Sequence, residues 1–199
     1  MTPPDDLDRR VLFFGDSMVA GTGDPTGLGW VGRVVAAAFD VGVPLTAYPL
    51  GVRGQTSVEI AARWRSEAAP RLDPDCDCRV VFAFGTNDSG AAALAAQRSG
   101  LTLETVLDEA AELGLPALAV GPAPVGDPAR DDTIAALSAA FAEVAAARGV
   151  PFVSVIEELR ASAVWTQEAA AGDGAHPAAG GYALFARLVL AGGFVDWLR

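Results

Sequence analysis

Lysine is absent from this chain of 199 residues, and all 14 of its basic side chains are arginine. Its absence excludes Schiff-base catalysis, a phosphate-loop lysine and a Ser-Lys catalytic pair, because each of these needs a lysine amine. Histidine and asparagine each occur once, as His176 and Asn87. A mechanism that uses an imidazole must therefore use His176.

Cysteine is scarce as well, and the two present are unsuited to most cysteine chemistry. Cys76 and Cys78 are separated by one residue, so in an extended segment their side chains point to opposite faces and cannot form a disulfide with each other. Asp75 and Asp77 flank Cys76, and nearby carboxylates raise the pKa of a thiol, which disfavours a cysteine nucleophile. A zinc site would have to join these thiols to the distant His176, so it is poorly supported and we expect no metal.

Long apolar runs are also missing. No stretch approaches the roughly 18 apolar residues that span a bilayer, and residues 1–10 lack the apolar centre of a secretory signal. We therefore expect a cytoplasmic protein without stable membrane insertion. The net charge of −11 disfavours nucleic acid as a partner, because phosphate contacts need a basic surface.

Hydrophobic residues make up 51% of the chain, which is enough for a substantial core. The length fits one domain over residues 1–199, with residues 1–10 expected to be flexible. Short apolar runs alternate with longer amphipathic stretches of helical spacing, the last of which is predicted to begin at Pro177. The predicted strands are 11–14, 43–48, 79–84, 117–120 and 152–155. This alternation predicts an α/β domain with a parallel sheet of about five strands and helices on both faces.

Four polar segments follow predicted strands or precede the last helix, and they bring together the parts needed for acyl transfer. Functional residues of parallel sheets gather beyond the carboxyl ends of the strands. Ser17 is the candidate nucleophile and His176 its base, because a serine hydroxyl needs an imidazole to remove its proton. Asp173 lies three residues before His176, where a tight turn would let it orient the imidazole. The segments are Gly15-Asp16-Ser17, Gly51-Val52-Arg53-Gly54, Gly85-Thr86-Asn87-Asp88 and Asp173-Gly174-Ala175-His176-Pro177.

The same segments supply candidate donors for the tetrahedral oxyanion. These are the backbone N–H groups of Ser17 and Gly54 and the side-chain amide of Asn87. Each has a structural alternative: Ser17 as a helix cap, Gly54 as a positive-φ turn residue and Asn87 as a turn former. Arg53, next to Gly54, is either a substrate contact or an ordinary surface residue.

These residues resemble the SGNH (GDSL-type) hydrolases, a family that includes small bacterial thioesterase and lysophospholipase enzymes. The resemblance covers almost the whole chain and rests on the four segments in their order, which contain the only histidine and the only asparagine. Two departures are Met18 in place of the usual leucine and Pro49 where many members have asparagine. The resemblance implies a flavodoxin-like three-layer α/β/α domain and cofactor-free cleavage of esters or thioesters. It also implies Ser17, His176 and Asp173 as the triad and Ser17, Gly54 and Asn87 as the oxyanion hole.

Three functions are consistent with these residues. The leading hypothesis is a serine esterase or lipase-type hydrolase whose partner is a small-molecule ester or thioester. An acyltransferase would use the same Ser17 acyl-enzyme and pass the acyl group to an alcohol instead of water. A catalytically idle binding module is the third, and the intact set of Ser17, Asn87, Asp173 and His176 argues against it.

Overall fold

The computed structural model describes residues 8–90 and 93–199. In this part of the chain one parallel sheet holds five strands, which are β1 (Arg9–Gly15), β2 (Thr46–Gly51), β3 (Asp77–Ala83), β4 (Ala117–Val120) and β5 (Phe152–Val153). The α-helices described are α1 (Gly29–Asp40), α2 (Ser57–Ala68), α3 (Ala93–Glu112), α4 (Pro128–Ala147), α5 (Ile156–Arg160), α6 (Ala163–Ala171), α7 (Ala179–Ala191) and α8 (Phe194–Leu198). The predicted α/β class and the five parallel strands are confirmed.

The strand order is β2-β1-β3-β4-β5, which is the flavodoxin-like order. The chain leaves β1, builds β2 on one side of it and then crosses back to build β3 on the other side. Loops after β1, β2 and β3 therefore lie side by side at the carboxyl edge of the sheet. A reversal of strand order of this kind leaves a crevice where ligands bind in open α/β sheets.

Alternate residues of the central strands face two separate cores, because successive side chains of a strand point to opposite faces. Val11 and Phe13 pack with residues of α1, α6, α7 and α8, whereas Leu12 and Phe14 pack with residues of α2, α3 and α4. Both faces of the sheet are thus covered by helices. The three-layer α/β/α architecture that the resemblance implied is confirmed.

Strand β2 lies later in the sequence than predicted. Val43 and Leu45 are buried like strand residues, but Val43 donates its N–H to the Ala38 carbonyl at 2.9 Å and so belongs to the turn that ends α1. The apolar run therefore covers the core before the strand begins. Pro49 lies within β2 opposite Phe13, which an edge strand tolerates because one side of its backbone has no strand partner.

The amino-terminal boundary also differs from the prediction. Residues 1–7 lie outside the described residues, so their predicted flexibility stays a prediction. Arg9 and Arg10, which we expected to be flexible, belong to β1 and pair with Asp77 and Cys78 of β3. An ion pair of 3.0 Å between Arg9 Nε and Asp77 Oδ2 holds this end of the strand, and hydrophobicity alone does not reveal it.

Candidate active site

Ser17 lies in the turn that follows β1, between the loops after β2 and β3. The Asp16 carboxylate accepts the Met18 N–H at 2.9 Å and so fixes the turn around Ser17. Gly51, the last residue of β2, approaches this turn so closely that a Cβ there would lie 2.3 Å from the Ala20 nitrogen. Glycine at position 51 thus lets the second loop pass beside the first.

Ser17, His176 and Asp173 form one hydrogen-bonded series. The Ser17 Oγ and the His176 Nε2 are 2.7 Å apart, and the His176 Nδ1 and the Asp173 Oδ2 are also 2.7 Å apart. Since a carboxylate oxygen accepts only, Nδ1 carries the proton and Nε2 is left as an acceptor facing the serine hydroxyl. Ser17 is 6% exposed, so its hydroxyl lies at the floor of the site.

The turn from Asp173 to His176 is closed by the Asp173 carboxylate itself. Its Oδ1 accepts the backbone N–H groups of Ala175 and His176 at 3.0 and 2.9 Å. The hydrogen bonds from the His176 N–H and the His176 imidazole hold the pKa of Asp173 well below its ordinary value. Asp173 is therefore ionised where its Oδ2 faces the imidazole Nδ1.

Helix α7 starts at Ala179 rather than at Pro177 because its cap comes from a different helix. The Glu168 carboxylate of α6 accepts the N–H groups of Ala178, Gly180 and Gly181 at 3.0, 3.0 and 2.7 Å. A carboxylate at a helix N-terminus satisfies donors that have no partner in the helix. Sequence reasoning missed Glu168, since nothing in the pattern of α7 points to a cap ten residues earlier.

The candidate oxyanion donors line the same cleft as Ser17 and His176. Among the described residues, the backbone N–H groups of Ser17 and Gly54 have no protein acceptor. Gly54 has a φ of +78°, so its structural interpretation as a positive-φ turn residue holds. The free N–H of Gly54 is also compatible with the predicted role of this residue as an oxyanion donor.

Asn87 is held so that its amide nitrogen points toward the crevice between β1 and β2. Its Nδ2 donates to the Gln55 carbonyl at 2.9 Å and lies 3.4 Å from the Asp16 Oδ2. The Gln55 carbonyl fixes which end of the amide is nitrogen. One N–H is thus fully used, while the second makes only a long contact and remains available to a better acceptor.

Two further polar side chains hold the Asn87 loop to its neighbours. The Asp88 carboxylate accepts the Ser57 N–H at 3.1 Å, which joins this loop to the start of α2. The Thr86 hydroxyl donates to the Ala123 carbonyl at 3.0 Å and accepts the Ala123 N–H at 3.1 Å. The sequence indicated that Asp88 shapes a turn, but not that it bridges two loops.

The cleft over Ser17 has a volume of about 310 Å³. Its other lining residues are Met18, Arg53, Thr86, Val125, Arg130 and Ala175. A second cleft, of about 340 Å³, lies on the other side of His176 and reaches Asp173 and Glu168. The site therefore offers space on both sides of the imidazole.

Cys76 and Cys78 lie at the start of β3, whereas the site lies beyond the end of that strand. Desolvation and a hydrogen bond to the Asp8 carboxylate raise the pKa of Cys76 to about 11. The direction is the predicted one, but the carboxylates that act are Asp8 and Asp73 rather than the flanking Asp75 and Asp77. Within the residues that the structure describes, no three His, Cys, Asp or Glu side chains are grouped so that they could hold a metal ion. None of the described helices combines the length and apolarity that crossing a bilayer requires.

The fold and the site together define the class of this protein, an α/β/α carboxylic ester hydrolase. The chain matches the model of the GDSL-like lipase/acylhydrolase family over residues 13–184 and belongs to that family. The family membership that the four segments predicted is confirmed. No curated protein sequence matches the chain.

Solved structures of esterases share the fold over nearly the whole chain. An acetylxylan esterase from Geobacillus stearothermophilus superposes with a TM-score of 0.75 at 21% identity, covering 96% of each chain. A lipase/acylhydrolase from Enterococcus faecalis gives a TM-score of 0.71 at 24% identity, covering 93% of this chain and 95% of the other. At these identities the likeness shows the fold.

Proposed function

We propose that this protein cleaves small carboxylic esters through an acyl-enzyme on Ser17. The observation that carries the proposal is the unbroken series of hydrogen bonds from Ser17 Oγ through the His176 imidazole to Asp173, with both links at 2.7 Å. This is the arrangement that activates a serine hydroxyl, because the base is in contact with the nucleophile and is itself oriented by a third group.

In the first half of the reaction, Ser17 Oγ attacks the ester carbonyl carbon as His176 Nε2 takes the hydroxyl proton. The carbonyl π electrons move to the oxygen, which becomes the oxyanion of a tetrahedral intermediate. Collapse of the intermediate breaks the bond to the alcohol oxygen, and His176 returns the proton to that oxygen. Asp173 stays ionised throughout and stabilises the imidazolium that forms in between.

The oxyanion is proposed to be bound by the Ser17 and Gly54 backbone N–H groups and the Asn87 side-chain amide. Two observations support this role: both backbone donors lack a protein acceptor among the described residues, and the Asn87 amide has one weakly engaged N–H. A developing negative charge is a stronger acceptor than the distant Asp16 oxygen. We infer that Asn87 redirects this N–H when the intermediate forms.

In the second half, water attacks the acyl-enzyme with His176 again as the base. An alcohol acceptor in place of water would make the protein an acyltransferase with the same intermediate. The exposure of Asp173, 48% of its side chain, leaves this side of the site open to water. That openness favours hydrolysis as the main outcome.

The cleft volume supports short acyl groups as substrates. About 310 Å³ accommodates a small acyl group and part of the alcohol. The Geobacillus enzyme with the same fold is an acetylxylan esterase, which makes acetyl esters the first substrates to try.

The test is turnover of 4-nitrophenyl esters of increasing acyl length by the wild type and by Ser17→Ala. We expect a preference for acetyl and a loss of several orders of magnitude in the variant, with its far-UV circular dichroism unchanged because only one hydroxyl is removed. Adding an alcohol acceptor and measuring ester formation separates transfer from hydrolysis. Wild-type turnover by a folded Ser17→Ala protein contradicts the proposal.

A further inference from the structure

The arginines of this protein differ in whether they form an ion pair with a carboxylate. Most of those in the described part of the chain pair with a carboxylate. Among the arginines whose side chains the structure describes, which excludes Arg98, those without a carboxylate partner are Arg53, Arg71, Arg130 and Arg187. Arg71 has other partners, since it donates to the Glu67 carbonyl and lies over the Tyr48 ring. Arg187 is exposed on α7, whereas Arg53 and Arg130 both line the Ser17 cleft.

The position of Arg130 in its helix is unfavourable for a positive charge. It lies in the first turn of α4, and a cation at a helix N-terminus is opposed by the helix dipole. Its guanidinium Nε donates at 3.1 Å to the neutral Ser89 hydroxyl, so the positive charge is held in place without being neutralised. The residue is half-buried beside the cleft.

The acidic residues next to Arg130 are all engaged elsewhere. Asp127 caps α4 by accepting the N–H groups of Ala129 and Arg130. Asp131 accepts the Val125 N–H at 2.7 Å, and Asp132 pairs with Arg160 at 3.1 Å. None of these three carboxylates forms an ion pair with Arg130, so its guanidinium remains available to a ligand in the cleft.

Arg53 brings a second positive charge to the same cleft from the opposite loop. It is exposed, immediately precedes the candidate oxyanion residue Gly54, and has no hydrogen bond or ion pair among the described residues. In a chain of net charge −11, the general field repels anions. The guanidiniums of Arg53 and Arg130 place positive charge beside the reacting serine, where the rest of the chain supplies mainly negative charge.

We propose that Arg53 and Arg130 select esters that carry a negatively charged group close to the bond that is cleaved. The guanidinium fork matches carboxylate, phosphate and sulfate oxygens with paired hydrogen bonds. The charge belongs to either the acyl part or the alcohol part of the substrate. This assignment of substrate class rests on the proposed Ser17 esterase function.

The test compares kcat/KM within two pairs of esters, each made of an anionic ester and its neutral methyl ester. For the acyl side, mono(4-nitrophenyl) succinate is compared with its methyl ester; for the alcohol side, 4-carboxyphenyl acetate is compared with its methyl ester. Ser17→Ala supplies the background rate of each compound. The readout is the ratio of anionic to neutral substrate, because damage to the fold or to the oxyanion loop lowers both rates together.

We expect the wild type to prefer the anionic member of at least one pair, and the pair that shows the preference identifies the side that carries the charge. Arg53→Gln and Arg130→Gln should each lower that ratio by roughly ten- to hundredfold, the value of a charge-assisted hydrogen bond. Arg130→Lys should restore part of it. Arg187→Gln, the matched exposed and unpaired arginine outside the cleft, should leave the ratio unchanged. Added salt should lower the wild-type ratio.

A wild type that prefers the neutral ester of both pairs overturns the substrate assignment, as does an unchanged ratio in both cleft variants. Equal turnover of all esters by wild type and Ser17→Ala is a different result, because it overturns the esterase proposal itself.

Discussion

At the scale of single residues, Asp16 is a buried carboxyl group of the site without a cationic partner. It is 1% exposed, accepts one backbone N–H and lies 3.4 Å from the Asn87 amide. Burial raises the pKa of Asp16 to about 7, because the carboxylate loses water without gaining a cation. The sequence indicated that Asp16 fixes the loop, but not that its proton is retained to neutral pH.

This retained proton predicts how stability depends on pH. In the unfolded chain an aspartate ionises near pH 4, whereas folded Asp16 ionises near pH 7. Between these values the folded state binds more protons, so the contribution of Asp16 to the free energy of unfolding falls as pH rises, by up to about 4 kcal/mol. Asp16→Asn keeps the acceptor for Met18 and cannot ionise. The melting temperature of the variant, relative to wild type, should rise steadily from pH 4 to pH 7.5; a constant difference contradicts the assignment.

Asn87 has two competing interpretations that kinetics can separate. If its amide binds the oxyanion, Asn87→Ala should lower kcat by roughly a hundredfold and change KM little, because the donor acts mainly on the transition state. A turn-forming Asn87 predicts lower stability with kcat retained. Gln167→Ala, which removes an exposed amide from α6, is the matched control. A folded Asn87→Ala protein with wild-type kcat contradicts the oxyanion role.

Asp173 and His176 should differ in how much activity depends on them. His176→Ala removes the only imidazole, whereas Asp173→Asn keeps an oxygen for the two backbone N–H groups that Asp173 Oδ1 binds. Because the Asp173 side chain is 48% exposed, water can partly replace it as the partner of the imidazole. We expect kcat/KM to fall at least about tenfold less in Asp173→Asn than in His176→Ala. Full activity in Asp173→Asn would remove Asp173 from the mechanism.

The candidate site residues could be found from the sequence for a chemical reason. Ser17, Gly54, Asn87, Asp173 and His176 lie in short segments next to strand ends or a helix start, and the chain has only one asparagine and one histidine. Their supporting contacts could not be found, since Gln55, which fixes the Asn87 amide, contributes only a backbone carbonyl. A backbone acceptor carries no sequence signal.

At the scale of secondary structure, the best-predicted elements are those with a strong apolar pattern. Strands β1, β3 and β4 lie where buried runs placed them, whereas the start of α7 and the position of β2 were wrong by a few residues. The reason at α7 is that its cap, Glu168, lies in a helix with no clear apolar stripe. The short helices α5 and α8, of five residues each, carry too little periodicity to be predicted.

Glu168 should therefore affect both stability and catalysis. It holds the three N–H groups at the start of α7, and the turn that carries His176 ends at Pro177 beside them. Glu168→Ala should lower the free energy of unfolding by about 1–3 kcal/mol, since three half-buried donors lose a charged acceptor. It should also lower kcat, because His176 is held less firmly. Glu168→Gln should fall in between, as an amide keeps one acceptor oxygen.

Thermal unfolding and steady-state kinetics of the three proteins test this prediction. Glu158→Ala is the matched control, because Glu158 is an exposed glutamate on the preceding helix, α5. Equal melting temperatures for Glu168→Ala and Glu158→Ala would show that the cap is not important for stability.

At the scale of the whole molecule, the strand order explains why distant segments meet. Because β1 lies between β2 and β3, the loop that carries Ser17 is flanked by the two loops that carry Gly54 and Asn87. Helix α7 packs against α1 on one face, with the Phe185 and Trp30 rings stacked 5.1 Å apart between their centroids. The Tyr182 hydroxyl of α7 donates to the Thr22 carbonyl at 2.7 Å, which joins this helix to the loop after Ser17. The alternation of strands and helices predicted the layers, while the resemblance supplied the flavodoxin-like order.

The central claim is that Ser17 is made nucleophilic by His176, and labelling with a fluorophosphonate tests it most directly. The probe forms a covalent bond to an activated serine oxygen and releases fluoride, so intact-mass and peptide mass spectrometry locate the modified residue. We expect one adduct, on Ser17, in the wild type, none in Ser17→Ala, and a labelling rate lower by several orders of magnitude in His176→Ala. An adduct on a different serine, or equal labelling rates with and without His176, would contradict the account.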